Sequence, residues 1–118
     1  MRQHRFTRSD RLLNARDYSN VFANASRASN RYFTILRRSN GLAHPRLGLV
    51  VAKKNIKKAV QRNRVKRAIR ESFRLNKPAL PKQDFVVLVK ASAADADSKM
   101  LRIAWEKLAI HGEKCATY

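Results

Sequence analysis

Positively charged side chains are the residues of this sequence best suited to chemistry, and they are concentrated between Lys53 and Arg74. Arginine can form two parallel hydrogen bonds with a phosphate group, and lysine acts on it as a point charge. Glu71 is the one acid in the segment. The spacing therefore predicts a phosphate-binding segment. Its cations are Lys53, Lys54, Lys57, Lys58, Arg62, Arg64, Lys66, Arg67, Arg70 and Arg74.

Residue types that usually carry catalysis or hold metals are few and scattered. The histidines lie far apart along the chain: His4, His44 and His111. None of them has the HExxH spacing of a zinc site, and the close acidic pair Asp95 and Asp97 is more simply read as a helix cap. Cys115 is the single cysteine, so neither an intramolecular disulfide nor a CxxC pair can form. We predict no catalytic residue and no metal ligand in the protein, so a partner would perform any reaction that it joins.

The balance of charge predicts a polyanionic partner. The chain has 27 Lys+Arg against 8 Asp+Glu, so its formal net charge is +19 and its pI is about 11.4. Such a charge destabilises a compact fold through self-repulsion. Nucleic acid is the first candidate partner, ahead of an anionic membrane and an acidic protein. The hydrophobic content of 44% is enough for a core, so we expect a single RNA-binding domain over residues 1–118, with its ends at residues 1–8 and 112–118 as the candidates for disorder.

The basic segment can also form an amphipathic helix. At about 100° per residue, its apolar and small side chains fall on one arc and its polar side chains on the other. The packing arc contains Val65, Ala68, Ile69, Ser72 and Phe73, and the polar arc contains Asn63, Arg64, Lys66, Arg67, Arg70, Glu71 and Arg74. One face can therefore pack against a core while the other meets phosphates.

The elements before the basic helix are predicted to be a helix and then strands. The first helix follows a cap at Ser9 and carries Tyr18 and Phe22. Residues 24–30 are rich in small and polar types, and we expect them to form the exit loop of this helix. A strand at residues 32–36 follows, with alternate side chains on opposite faces.

The elements around and after the basic helix complete an α+β pattern. An apolar strand at residues 47–52 leads into the basic helix, and another at residues 85–89 follows it. Asp95 or Asp97 caps a last helix. Its apolar stripe contains Met100, Leu101, Ala104, Trp105 and Leu108. The order helix, strands, helix, strand, helix predicts one central sheet, and parallel strands on either side of the basic helix would give a right-handed crossover by default.

No segment indicates export or membrane insertion. Residues 1–17 have scattered arginines and no apolar block, unlike a secretory signal. The longest strongly apolar stretch, near residues 47–52, is far shorter than the roughly 20 residues that span a bilayer. We therefore expect a cytoplasmic protein without a membrane partner.

Three motifs in a fixed order carry a specific resemblance. RLGLVVAKK occupies residues 46–54, RNRVKR occupies residues 62–67, and LPKQDFVV occupies residues 80–87. An RNR triplet alone is weak evidence. In this order, and with an aromatic first helix upstream, the motifs resemble the protein component of bacterial ribonuclease P over nearly the whole chain.

The resemblance implies an accessory subunit of an endoribonuclease whose active site lies in RNA. Such an RNA-binding protein assembles with ribonuclease P RNA, which holds the Mg2+ ions, and helps it to remove the 5′ leader of precursor tRNA. This role would account for both the missing catalytic groups and the high charge. It also implies a left-handed crossover around the basic helix, against the right-handed default.

The resemblance further assigns residues to two RNA-binding sites. The catalytic RNA would be bound by Arg62, Asn63, Arg64, Lys66, Arg67 and Arg70. The leader would be bound by Tyr18, Phe22, Lys53 and Lys54. Its cleft would lie between the first helix and the strand at residues 32–36, where bases stack on aromatic rings. Tyr18 stands where the family often has phenylalanine, and Leu36 where some relatives carry an aromatic residue.

Several alternatives stay open at this point. The polar arc could be a solvated helix face, and the two aromatic side chains could belong to the core. A small basic ribosomal protein would share the size, charge and compartment, but it need not carry RNRVKR beside an aromatic first helix. A helix-turn-helix DNA-binding protein needs two helices joined by a short turn, and here strands flank the basic helix, so we expect no DNA partner.

Overall fold

Three helices and four strands make up most of the part of the chain that the computed structural model describes, residues 15–41 and 44–109. The elements there are the helices α1 (Ala15–Asn24), α2 (Ala59–Asn76) and α3 (Ser98–Ala109), and the strands β1 (Ser26–Ser29), β2 (Phe33–Ser39), β3 (Arg46–Val50) and β4 (Gln83–Val89). Short 3-10 turns at Lys77–Ala79 and Ala91–Asp95 follow α2 and β4. The predicted α+β class is confirmed. The predicted cap at Ser9 and the chain ends at residues 1–8 and 112–118 lie outside the described residues.

The strands form one mixed sheet in the order β1-β2-β4-β3. β2 pairs antiparallel with both β1 and β4, whereas β3 pairs parallel with β4. α2 therefore connects two adjacent parallel strands and completes the βαβ unit expected from the sequence. The left-handedness of this crossover stays a prediction.

The larger core lies between one face of the sheet and the helices α2 and α3. Trp105 of α3 is fully buried, and its ring centroid lies 6.2 Å from that of Phe73 and 6.5 Å from that of Phe85. Phe33 and Ile35 of β2 belong to the same cluster. The buried residues of α2 are Val65, Ala68, Ile69, Ser72 and Phe73. These are the residues of the predicted packing arc, so α2 turns its basic arc outward.

A polar cluster joins α2 to α3. Ser72 Oγ donates to Glu106 Oε2 at 2.8 Å, and Asn76 Nδ2 donates to the same oxygen at 3.2 Å. Asn76 Nδ2 also donates to the Ser72 carbonyl at 2.8 Å. Because these groups satisfy one another, a serine can lie on the buried face of α2 without an unpaired hydroxyl. The cluster fixes the rotation of α2 about its axis.

A smaller core lies on the other face of the sheet, beneath α1. Val21 is fully buried and packs with Leu36 of β2 and Val86 of β4. Successive residues of a strand point to opposite faces, so Leu36 and Val86 face away from the core that holds Ile35 and Phe85. α1 and α2 therefore lie on opposite sides of the sheet.

The predicted exit loop at residues 24–30 is wrong, because Ser26–Ser29 forms the edge strand β1. Its sequence SRAS has no apolar alternation, and pairing with β2 decides its conformation where local propensity does not. The hydroxyl oxygens of Ser29 and Thr34 lie 2.8 Å apart across this pair. β1 can therefore be assigned only once its pairing with β2 is known.

Other elements differ from the predictions mainly at their ends. β2 continues to Ser39, and β3 covers residues 46–50 in place of 47–52. α2 begins at Ala59, so Lys53 and Lys54 lie in an exposed turn before the helix. On α3, the side chain of Met100 is 46% exposed, and it lies outside the buried part of the predicted stripe.

Candidate nucleic-acid interfaces

The outward face of α2 forms a cationic groove of about 300 Å³. The side chains that line it are Asn63, Lys66, Arg67, Arg70, Glu71 and Arg74. Glu71 forms an ion pair with Arg74 at 2.6 Å, one turn along the helix, so the negative charge of Glu71 is offset by a neighbouring arginine. The groove offers more positive than negative charge and suits a chain of phosphates.

Arg62 and Arg64, which the resemblance assigns to the catalytic RNA, each also hold a neighbouring segment. Arg62 Nη1 donates to the carbonyls of Ile56 and Lys57 at 3.0 and 2.9 Å. Arg64 Nη2 donates to the Ala94 carbonyl at 2.7 Å and so fastens the turn Ala91–Asp95 to α2. A guanidinium group has five N–H donors, so these contacts leave donors for a phosphate.

Arg64 also lines a second recess beside the groove. The recess has a volume of about 450 Å³ and is lined by Val60, Asn63, Arg64, Arg67 and Ser98. The structure therefore brings the predicted residues of α2 into two adjoining recesses, with the exception of Arg62, which lines neither. Arg67 and Asn63 lie between them and line both.

The second candidate surface begins where α1 crosses the sheet. Leu36, Val86 and Gly48 are register partners on three neighbouring strands. Val21 packs on the first two of these residues, and the ring of Tyr18 lies over Gly48. A Cβ atom at Gly48 would lie only 2.7 Å from Cε1 and Oη of Tyr18. Glycine is therefore required at this point for the close approach of the ring.

Tyr18 and Phe22 differ in burial although they lie one turn apart on α1. Tyr18 is partly buried against the smaller core, whereas Phe22 is 51% exposed. The alternative that Phe22 belongs to the core therefore does not hold. Leu36, the position where some relatives carry an aromatic residue, is only 7% exposed. Its side chain packs beneath α1 in the smaller core and adds nothing to the exposed surface.

The strands supply a floor beside α1. Thr34, Leu88 and Val50 are register partners across β2, β4 and β3, and they share the α1 side of the sheet because they lie two positions from the residues beneath that helix. Val50 is 38% exposed. Lys53 and Lys54 follow in the exposed turn after β3. The floor predicted at residues 32–36 belongs to β2, and β4 and β3 extend the same face of the sheet. That this face binds a leader stays a prediction.

Arginine and aspartate side chains occupy the opposite end of the same sheet face. Asp84 is 6% exposed and accepts two hydrogen bonds from Arg46, Nε to Oδ1 at 2.8 Å and Nη2 to Oδ2 at 2.7 Å. Asn40 Nδ2 donates to the same Oδ1 at 2.9 Å and to the His44 carbonyl at 3.1 Å. This network ties the β2–β3 connection to β4. The sequence pattern includes Asp84 only as part of the LPKQDFVV motif and predicts no role for it.

One arginine lies in a less polar setting than those of α2. Burial lowers the pKa of Arg37 from its ordinary value, while its Nη1 donates to the Ala109 carbonyl at 2.9 Å and its guanidinium lies 5.8 Å from the Phe85 ring centroid. These contacts join β2 to the end of α3 and compensate the buried charge. Arg37 is therefore part of the fold, not of a phosphate site.

Residues 15–41 and 44–109 contain neither a cluster of metal ligands nor a membrane-spanning helix. Within those ranges no group of three or more histidine, cysteine, aspartate or glutamate side chains could hold a metal ion. None of the helices there has both the length and the apolar character needed to cross a bilayer.

The chain is similar in sequence to ribonuclease P proteins. The model of the family described as Ribonuclease P matches residues 6–111. A ribonuclease P protein component from Vibrio campbellii is 52% identical over 108 residues, 92% of each chain. Another, from Yersinia pestis, is 53% identical over 103 residues, 87% of each chain.

The chain is also similar in fold to solved structures of RNase P proteins. The RNase P protein from Thermotoga maritima superposes with a TM-score of 0.77 at 36% identity, over 87% of this chain and 97% of that one. The RNase P protein from Staphylococcus aureus gives a TM-score of 0.77 at 31% identity, over 82% and 89% of the two chains. Sequence and fold comparisons therefore agree.

Proposed function

The chain belongs to the ribonuclease P protein family, and we propose that its two cationic surfaces bind the two RNAs of that enzyme. It is the accessory protein subunit of an endoribonuclease, with ribonuclease P RNA and precursor tRNA as its partners. Family membership favours this function over that of a small ribosomal protein. The observation that carries the proposal is the position of α1 and α2 on opposite sides of one sheet, since a small protein so built can contact two RNAs at once.

The outward face of α2 is the proposed contact with the catalytic RNA. Its buried side is fully used by the core, so the basic side is the one presented to a partner. Lys66, Arg67 and Arg70 share one groove with Asn63, and Arg62 and Arg64 retain N–H donors beyond those that hold the neighbouring segments. Arginine forks and a helix of fixed rotation suit a phosphate backbone of defined shape.

The surface beside α1 is the proposed contact with the 5′ leader. Phe22 offers an exposed ring, and Tyr18 offers a partly buried ring held against β3. Stacking on an aromatic ring contributes about 1–3 kcal/mol per base and accepts any base. Lys53 and Lys54 supply cations in the turn after β3, where they would meet the phosphates of the leader or of the adjoining tRNA.

The catalytic Mg2+ ions are proposed to be held by the RNA subunit, and the enzyme is proposed to work in the cytoplasm. Metal ions in such a site activate the attacking water and stabilise the leaving oxygen. The part of the protein is to bind and to orient. Its cations offset the repulsion between two RNA backbones where they approach, and its aromatic side chains hold the unpaired leader in place.

Two single substitutions test this division of work. Arg67→Ala is expected to weaken binding of the catalytic RNA, and Phe22→Ala is expected to weaken binding of precursor tRNA to the assembled enzyme by about tenfold, while binding of mature tRNA is unchanged. The dissociation constants for the catalytic RNA, for precursor tRNA and for mature tRNA are measured for both variants at one salt concentration. Val21→Ala is the matched control for folding, because Val21 is fully buried beside Phe22. If Phe22→Ala weakened both tRNAs equally, or lowered stability as Val21→Ala does, the leader assignment would be wrong.

A further inference from the structure

We propose that a groove between α3 and the β1–β2 turn binds an acidic, amphipathic helical segment of a partner protein. The groove has a volume of about 410 Å³. The residues that line it are Asn30, Arg31, Tyr32, Met100, Ile103, Ala104, Lys107 and Leu108. The function proposed above uses none of them.

The floor of the groove is an apolar stripe that the core does not need. Met100 and Ile103 are 46% and 44% exposed, although the opposite side of α3 already buries Leu101 and Trp105 completely. Ala104 continues the stripe by one residue. A contiguous apolar patch on the surface marks a candidate protein contact, and methionine adapts its shape to different partners.

The rim of the groove is cationic. Arg31 and Lys107 line it directly, and Lys90 lies in an adjoining recess, where its Nζ donates to the Asn30 carbonyl at 2.7 Å. None of the described residues that line either recess is acidic. The complementary ligand therefore has apolar side chains at its centre and carboxylates at its edges.

The wall opposite α3 is held in place by Asn30. Its Oδ1 accepts hydrogen bonds from the backbone N–H groups of Tyr32 and Phe33 at 2.9 Å, while its Nδ2 donates to the Ala104 carbonyl at 3.2 Å. The β1–β2 turn is thereby fixed directly to α3. A groove with fixed walls loses little entropy when a ligand binds.

The chemistry of the floor favours a protein ligand over RNA. Unpaired bases bind to proteins by stacking on exposed aromatic rings. The exposed floor of this groove consists of methionine, isoleucine and alanine, and Tyr32, the one aromatic residue among its described lining residues, is only 8% exposed. A helix with apolar residues at positions i, i+3, i+4 and i+7 can lay that stripe along α3. Acidic residues on its flanks would then reach Arg31 on one side and Lys107 on the other.

The test selects peptides on the assembled enzyme. A phage-displayed library of 16-residue peptides is panned against the complex of the protein with excess ribonuclease P RNA, so that the basic face of α2 is occupied. We expect the selected peptides to combine aspartate or glutamate with apolar residues at helical spacing. A representative peptide is then synthesised, labelled, and titrated by fluorescence anisotropy.

Paired variants locate the binding site. Ile103→Glu is expected to weaken peptide binding by about tenfold or more, while cleavage of precursor tRNA continues at the wild-type rate, which shows that the variant is folded. Leu75→Glu places the same charge at a leucine of α2 that is 50% exposed, and it should leave peptide binding unchanged.

Three results would overturn the proposal. The first is a selection that yields no peptide, or only peptides without acidic residues. The second is equal peptide affinity of the wild type and Ile103→Glu. The third is that Ile103→Glu instead loses binding of single-stranded RNA, or loses a self-association seen for the wild type by light scattering, since the groove would then be an RNA site or a contact between two copies.

Discussion

At the scale of single residues, the arginines of α2 fall into two kinds that the sequence pattern could not separate. Helical periodicity gives only the angle at which a side chain leaves the axis, and it placed Arg64 and Arg67 on the same polar arc. In the structure Arg67 is exposed in the groove, whereas Arg64 reaches the Ala94 carbonyl. Which arginine folds back depends on the position of the turn Ala91–Asp95. This turn follows β4 in the chain, and the fold places it beside α2.

This difference predicts distinct outcomes for two alanine variants. Arg67→Ala is expected to weaken binding of the catalytic RNA by about tenfold, the equivalent of one charge-assisted hydrogen bond, with no change in the melting temperature. Arg64→Ala is expected to weaken binding and also to lower the free energy of unfolding by about 1 kcal/mol, because the Ala94 carbonyl loses its donor. Filter binding and thermal melts measure the two quantities. Identical melting temperatures for both variants would contradict a structural role for Arg64.

At the scale of elements, the contact of α1 with β3 depends on Gly48. The strand was predicted from its apolar character, but the need for glycine within it became clear only when the ring of Tyr18 was seen to occupy the space of a Cβ atom. The same limit applies to β1, whose polar sequence gave no signal before its pairing with β2 was known. Periodic apolar segments such as α2 were predicted well because burial on one face determines their pattern.

Gly48→Ala is therefore expected to move Tyr18 away from the sheet and to weaken leader binding. A Cβ atom cannot remain 2.7 Å from the ring, and the ring is the group that can swing aside. We expect roughly fivefold weaker binding of precursor tRNA, a partial loss of one stacking contact, with mature tRNA unaffected. In a Tyr18→Ala background the same glycine change should have no further effect. Fully additive losses in the double variant would show that Gly48 acts independently of Tyr18.

The network around Asp84 predicts a loss of stability at the other end of the sheet. Asp84→Asn removes the charge that the Arg46 fork meets at 2.7 and 2.8 Å, and Arg46 keeps part of its hydration because its side chain is 21% exposed. We expect the free energy of unfolding to fall by about 2 kcal/mol, or roughly 10 °C in melting temperature. Asp95→Asn, at an exposed aspartate, is the control. A melting temperature equal to that of the control would mean that the buried pair contributes nothing to the fold.

At the scale of the whole molecule, a small sheet separates two surfaces of the same sign. The net charge of +19 predicted a polyanionic partner, and the ordered motifs indicated which family the chain resembles, but neither could show that α1 and α2 lie on opposite faces. That arrangement follows from the alternation of Leu36 and Val86 with Ile35 and Phe85 in paired strands. In the function proposed above, it lets one short chain contact a catalytic RNA on one side and the substrate RNA on the other.

The most direct test of this account is the rate of 5′ cleavage of precursor tRNA by ribonuclease P RNA at low Mg2+, measured with and without the protein. Two RNAs repel each other most when few divalent ions are present, so a protein that bridges them should matter most there. We expect strong stimulation, which a basic ribosomal protein of similar charge does not reproduce. Tight binding to the RNA with no increase in the cleavage rate would contradict the account.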